Sequence, residues 1–85
     1  MVVATLKGDD VILCQITSQA TSDESSVLLE QIDFVSGGLN RSSRIRPNRL
    51  FTADAGIIVY GAGHVSDAKL EKTIGSVIEI LRPKI

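Results

Sequence analysis

The helical pattern of this 85-residue sequence is confined to its C-terminal end. Four apolar residues fall on one face of that helix: Leu70, Ile74, Val77 and Leu81. Ser66 suits the N-cap position and Pro83 ends the helix, while the polar face with Lys69 and Glu71 should be solvated. The preceding residues form short β-rich runs separated by turns. This order predicts a mainly β domain, in which a small, highly bent sheet or partial barrel packs against a C-terminal α-helix.

The β-rich runs predict the strands individually. Val2–Leu6 and Val11–Ile16 flank the turn Lys7–Asp10 and should form a hairpin. Three later runs are also predicted strands: Val27–Leu29, Ser42–Arg46, and Ile57–Tyr60 with an extension towards Val65. Thr17–Ser26 is polar and is predicted to be a loop. Gly37–Gly38 is predicted to turn the chain, because glycine adopts positive φ angles at little cost.

Pro47 is expected to limit the strand that reaches Arg46. Because proline has no backbone N–H, that strand should lie at a sheet edge or end at this point. Ile45 is the residue of this strand expected to face inward. Beyond the proline, Leu50–Phe51 is expected to anchor the core and Ala53–Gly56 to form a turn.

Length and composition predict one small domain over residues 1–85, with a thin core. Apolar residues make up 44% of the chain and aromatic residues only 4%, so Val, Ile and Leu must build that core. A second copy would bury further apolar surface, and we expect a homodimer.

Cys14 is the single cysteine, which excludes an internal disulfide and a cysteine-cluster zinc site. Its apolar neighbours predict a buried thiol on a strand. No metal and no other cofactor is expected. No run reaches the length of a membrane span, and the N-terminus lacks the pattern of a secretory signal, so we expect a cytoplasmic protein.

Arginines are concentrated in one segment. Four of the five in the chain fall between Arg41 and Arg49, although the net charge is -1. Bulk charge therefore does not favour a polyanion partner, whereas a local basic patch does.

Five segments in order carry a resemblance: Val11–Gln19 (VILCQITSQ), Asp33-Phe34 with Gly37-Gly38-Leu39, Ser43–Thr52 (SRIRPNRLFT), Ile57–Val59, and Gly63–Ser66 (GHVS). Together they are similar to the MazF/PemK family of toxins, over nearly the whole chain. The resemblance implies a Src-homology-3-like small barrel and a homodimer. It also implies a metal-independent endoribonuclease of a type II toxin–antitoxin pair, which cleaves single-stranded RNA and is silenced by an antitoxin protein.

One block of the family pattern, an opening strand and a loop ending in Arg-Pro, has no counterpart before Met1. Either the true start of the protein lies upstream, or the chain is a shortened relative with an incomplete barrel. In the second case we expect the edge at Val2–Leu6 to pair with another copy or to exchange a strand. Two alternatives stay open beside the active toxin. The first is a shortened, non-catalytic relative that binds an antitoxin peptide, RNA or a second copy of itself. The second is a small barrel interaction module without a nucleic-acid role.

Metal-free RNA cleavage must deprotonate the 2′-hydroxyl, stabilise a phosphorane and protonate the leaving 5′-oxygen. The resemblance assigns the phosphate to Arg46, whose guanidinium can hold two phosphoryl oxygens, and makes Thr17 a second catalytic candidate. It assigns RNA binding to five residues: Ser18, Gln19, Arg44, Asn48 and Arg49. Strand-end turn chemistry explains Thr17 and Ser18 equally well. Asn48 should share a face with Arg46, and His64 is expected to be structural.

Overall fold

The computed structural model describes residues 1–19, 24–58 and 61–82. Within these ranges the strands and the helix are β1 (Val2–Thr5), β2 (Asp10–Thr17), β3 (Val27–Leu29), β4 (Phe34–Gly37), β5 (Ser43–Asp54), β6 (Gly63–Val65) and α1 (Asp67–Leu81). One antiparallel sheet has the order β1-β2-β5-β3, and β4 pairs with β6 in a second. The larger sheet curls strongly into a half-barrel, so the predicted mainly β fold with a C-terminal helix is confirmed.

The predicted N-terminal hairpin is present. Gly8 turns the chain between β1 and β2 with a φ of 85°, and the N–H of Leu6 donates to the carbonyl oxygen of Asp10 at 2.9 Å. Within the described residues, β1 has β2 as its one neighbour in the sheet. In that part of the chain no strand pairs with its other edge.

β5 continues through Pro47 to Asp54, so the prediction that the strand ends there is wrong. The described part of β3 pairs with Ser43–Ile45 only, so Pro47 does lie at a sheet edge on that side. β5 pairs with β2 on one side and with β3 on the other. The pairing with β2 steps from Cys14 opposite Leu50 to Gln15 opposite Arg46, which leaves Pro47–Arg49 as a bulge. A bulged residue needs no partner for a backbone donor, so proline is tolerated there.

The core is made by the sheets. Its buried centre consists of Cys14, Val27, Leu29 and Ile45, which confirms Ile45 as inward-facing. Leu50 and Phe51 are 38% and 50% exposed, so the prediction that they anchor the core is wrong. Among the described residues, β3 pairs with Ser43–Ile45, and the half of β5 beyond the bulge pairs with β2 only.

Helix α1 begins as predicted, with the Ser66 hydroxyl accepting from the N–H of Lys69 at 3.2 Å. Its most buried residue is Thr73, whose hydroxyl donates to the carbonyl oxygen of Lys69 at 2.9 Å. Leu81 is 71% exposed, although the periodicity placed it on the packed face. The core cluster among the described residues contains no member of α1, so this helix lies at the margin of the core.

The charge pattern predicts that Lys69 is solvated, and this prediction is wrong. Its ammonium donates to the carbonyl oxygen of Leu28 at 2.8 Å and lies 3.4 Å from Oδ1 of Asp33. The backbone N–H of Ser66 also donates to the carbonyl oxygen of Asp33, at 2.7 Å. Lys69 therefore ties the first turn of the helix to β3 and to the turn before β4.

The segment between β5 and β6 differs from the sequence prediction. β5 continues to Asp54, whose carboxylate accepts from the N–H of Gly56 at 2.7 Å and caps a 3₁₀ turn over Ala55–Ile57. Ile57 therefore belongs to a turn rather than to the predicted strand. Ile58 is the C-cap of that turn and is not in a strand either. Residues 59 and 60 of the predicted strand lie outside the described residues, as do residues 20–23 of the predicted polar loop.

No helix in the described parts of the chain is both long and apolar enough to cross a membrane. The cytoplasmic location stays a prediction.

Gly37 should not tolerate a side chain. Its φ is 68°, it lies opposite Gly63 in the β4–β6 pair, and an added Cβ would collide with the carbonyl oxygen of Ala62. We expect Gly37→Ala to lower the free energy of unfolding by about 1–3 kcal/mol in urea denaturation. Gly75→Ala is the matched control, because an added Cβ there meets nothing within 4 Å in the described structure. It should raise the same free energy by about 0.5–1 kcal/mol, and equal effects of the two variants would contradict the prediction.

Lys69→Met should destabilise the fold, because it leaves the Leu28 carbonyl oxygen and the half-buried Asp33 carboxylate without this cation. Hydrogen bonds to charged groups contribute about 1.5–3 kcal/mol, and we expect a loss towards the lower end of that range in urea denaturation. Lys72→Met, at an exposed helix position, should change the free energy of unfolding by less than about 0.5 kcal/mol. A Lys69→Met variant as stable as Lys72→Met would show that the tie contributes nothing.

Candidate nucleic-acid interface

The pairing of β2, β5 and β3 brings polar residues onto one face of the sheet. Gln15 lies opposite Arg46, Thr17 lies opposite Arg44, and Leu28 of β3 lies opposite Arg44 from the other side. Directly opposed residues in antiparallel strands share a face, and the residues between them face the other way. We call these five residues, Gln15, Thr17, Leu28, Arg44 and Arg46, the outer face.

Each of the two arginines of the outer face donates to a neutral side chain. Arg44 donates to the hydroxyl of Ser26 at 3.1 Å, and Arg46 donates to the side-chain oxygen of Gln15 at 3.2 Å. Because the two arginines are separated by one residue on a strand, their Cα atoms are about 7 Å apart. This spacing is comparable with that of neighbouring phosphates along an extended nucleic-acid strand.

A small polar cavity adjoins Thr17 and Arg44. Its volume is about 140 Å³, and it is lined by Thr17, Ser18, Gln19, Leu28, Ser42, Ser43 and Arg44. The Thr17 hydroxyl accepts from the N–H of Gln19 at 3.1 Å, which turns the chain at the end of β2. We call this space the hydroxyl cavity. It brings together four residues that the sequence singled out: Thr17, Ser18, Gln19 and Arg44.

A larger and more apolar cavity lies further along β2, beyond the pair formed by Gln15 and Arg46. Its volume is about 540 Å³, and it is lined by Met1, Cys14, Gln15, Ile16, Arg49, Leu50 and Phe51. The bulge carries Arg49 to this cavity, while Gln15 connects the cavity to Arg46. We call this space the Phe51 cavity.

Three residues considered in the sequence analysis are not among the described residues that line these cavities: Arg46, Asn48 and His64. Arg46 lies between the cavities, next to Gln15. Asn48 is exposed within the bulge and is not among the described residues that line either cavity. The expectation that it shares a face with Arg46 assumed unbroken strand alternation, which the bulge interrupts. His64 lies on β6 of the second sheet, opposite Ser36.

Two residues at the centre of this region had no assigned role in the sequence analysis. Gln15 accepts from Arg46, and its position two residues before Thr17 on a strand was the signal for a shared face. Cys14 is buried, as predicted, and its thiol donates to the carbonyl oxygen of Arg46 at 2.9 Å. That contact holds the main chain of Arg46 at the start of the bulge.

Burial raises the pKa of the Cys14 thiol above its ordinary value, so the thiol stays protonated and is a poor nucleophile. Among the described residues, no group of three or more His, Cys, Asp or Glu side chains is arranged to hold a metal ion. The chemistry available at the outer face is therefore that of guanidinium, hydroxyl and amide groups.

No family model matches the chain, and a comparison with curated proteins found no match. The MazF/PemK resemblance depends on the ordered sequence segments and stays a prediction. The geometry of the outer face and of the two cavities is the basis on which a function can be inferred.

The raised pKa of Cys14 predicts a specific loss of stability in alkali. The folded state keeps the thiol protonated, whereas the unfolded chain ionises it above a pKa of about 8.5. The contribution of this group is therefore fully present below that pH, and it declines as the pH rises towards the higher pKa of the folded state. We expect the free energy of unfolding of the wild type to fall more steeply between pH 8 and pH 10 than that of Cys14→Ala, both in urea. If the free energy of unfolding falls equally with pH in the two proteins, the prediction is wrong.

Proposed function

We propose that this chain is a metal-independent endoribonuclease of the MazF/PemK kind, which cleaves single-stranded RNA as the toxin of a toxin–antitoxin pair. The observation that carries the proposal is the outer face, where Arg46 and Arg44 lie opposite Gln15 and Thr17 beside the hydroxyl cavity. A cationic pair on one strand and hydroxyl groups on the next are the groups that bind a phosphodiester in the absence of a metal.

In the proposed reaction the 2′-oxygen attacks phosphorus as it loses its proton, and the bond from phosphorus to the 5′-oxygen breaks. The 2′-hydroxyl gives its proton to water and the leaving 5′-oxygen takes one up from water, so the products are a 2′,3′-cyclic phosphate and a 5′-hydroxyl. Arg46 is the group for the phosphorane, because a guanidinium can donate to two of its oxygens in one plane. The contacts to Gln15 and to Cys14 help to fix Arg46 in place for this role.

Thr17 is suited to assist at the same phosphate. Its oxygen accepts from the N–H of Gln19, and that contact uses a lone pair, so the hydroxyl can still donate its hydrogen to a phosphoryl oxygen. Arg44, directly opposite Thr17, is placed to contact a neighbouring phosphate. Arg49 at the Phe51 cavity extends the cationic track, and the overall charge of -1 makes this attraction local.

Two exposed surfaces support a homodimer and an antitoxin as the proposed partners. Ile78, Ile80 and Leu81 are exposed near the end of α1, and β1 has an open edge within the described residues. A homodimer and an antitoxin segment would bury this apolar surface and complete the sheet edge. Both partners belong to the proposal.

A second candidate function is RNA binding without cleavage. The described lining of the two cavities contains no His, Asp or Glu, and Gln15 and Thr17 cannot accept a proton usefully at neutral pH. The site as described therefore has cations for phosphate but no general base. RNA binding with no turnover would favour this candidate over the nuclease.

The test is cleavage of single-stranded RNA by the purified chain in EDTA, beside Arg46→Ala. Loss of a donor to the transition state typically lowers kcat by about 10²- to 10³-fold, and we expect a loss of that size for Arg46→Ala. Arg82→Ala removes an exposed arginine at the end of α1 and should leave the rate unchanged. Cleavage that needs a divalent metal, or that survives Arg46→Ala, would contradict the proposal.

A further inference from the structure

Phe51 is an exposed aromatic residue in the middle of a paired strand. It is 50% exposed and lies opposite Leu13, two positions along β2 from the Gln15 that pairs with Arg46. Phe51 and Gln15 line the same cavity. Phe51 is therefore close to the cationic part of the outer face, at about 7 Å along the strand.

The exposure of Phe51 is unusual for this composition. The chain has three aromatic residues, and the other described one, Phe34, packs against the core. Burying a phenyl ring stabilises a fold, so a ring left half-exposed in a chain with a thin core gives up stabilisation that the protein could use. Exposed aromatic rings beside cationic side chains are the groups on which the bases of single-stranded nucleic acids stack.

The two cavities on either side of the Arg46–Gln15 pair differ in chemistry. The Phe51 cavity has about 540 Å³ and walls formed mainly by apolar side chains, with Arg49 as its cation. The hydroxyl cavity has about 140 Å³ and is lined mostly by hydroxyl and amide groups. The first offers a stacking surface that every base can use, and the second offers directional donors and acceptors.

We propose that these cavities bind the two nucleosides on either side of the phosphate at Arg46, with Phe51 stacking on one base and the hydroxyl cavity contacting the other. This inference rests on the proposed RNA function and names the part of the substrate that each cavity takes. The ligand of the Phe51 cavity is then a base of single-stranded RNA, because Arg49 and Arg46 supply positive charge for the phosphates of that RNA.

An asymmetric specificity follows from this arrangement. Stacking on Phe51 tolerates any base, because each base has an apolar face. Ser18 and Gln19 at the hydroxyl cavity read the hydrogen-bonding edge of their base, so they discriminate between bases. RNA should therefore be selected strictly at one position beside the cleaved bond and loosely at the other.

The experiment compares wild type, Phe51→Ala, Phe51→Leu, Phe51→Tyr and Gln19→Ala in EDTA. It measures binding of a fluorescein-labelled, random-sequence single-stranded RNA, the KM and kcat of cleavage, and the sequences at the cut ends. Phe51→Ala should weaken binding and raise KM by about 5- to 150-fold without changing the cut sequences. Phe51→Leu should be similarly weak because it lacks a ring, while Phe51→Tyr should bind well. Gln19→Ala should broaden the cut sequences instead.

Wild-type affinity in Phe51→Ala, or full rescue by Phe51→Leu, would overturn the inference. If Phe51→Ala instead turns a dimer into a monomer by light scattering, with RNA affinity per chain unchanged, the ring belongs to a contact between copies and the inference is also wrong. If Phe51→Ala binds RNA as tightly as the wild type while cleavage still depends on Arg46, this inference is wrong and the nuclease proposal stands. A folded wild type that neither binds nor cuts RNA overturns both.

Discussion

The bulge at Pro47–Arg49 is the constraint on which the rest of the site depends. β5 pairs with β2 on both sides of the bulge and skips three residues between them. One of the three is Pro47, which has no N–H to donate to a neighbouring strand. The skip sets Arg46 opposite Gln15 and Leu50 opposite Cys14. It also separates the two cavities along β5, with the residues of the hydroxyl cavity before it and those of the Phe51 cavity within and beyond it.

Polar contacts between elements help to hold this arrangement where the apolar core is thin. The thiol of Cys14 donates to the carbonyl oxygen of Arg46 at the start of the bulge, and Lys69 joins the helix to the β3 carbonyl of Leu28. Leu28 in turn lies opposite Arg44 and lines the hydroxyl cavity. Helix α1 therefore supports the proposed RNA-binding face through the ammonium group of Lys69.

The proposed chemistry divides between the two sides of Arg46. The polar side supplies hydroxyl groups and a second arginine for phosphate and base contacts, and the apolar side supplies an aromatic ring and Arg49. A catalytic base is the component that the described cavities do not contain. Both candidate functions, RNA cleavage and RNA binding without cleavage, use the same arginines to bind phosphate. Because they differ only in whether the RNA is cut, turnover is the measurement that separates them.

The sequence by itself determined the features that depend on neighbours in the chain. The hairpin turn at Gly8 and the Ser66 cap of α1 could be predicted because each involves residues within a few positions of one another. Only the tertiary structure decided which strands pair and in which register, because that choice depends on contacts between distant residues. The strand pairing placed Pro47 in a bulge of β5, set Thr17 opposite Arg44, and left Phe51 exposed beside the cationic face.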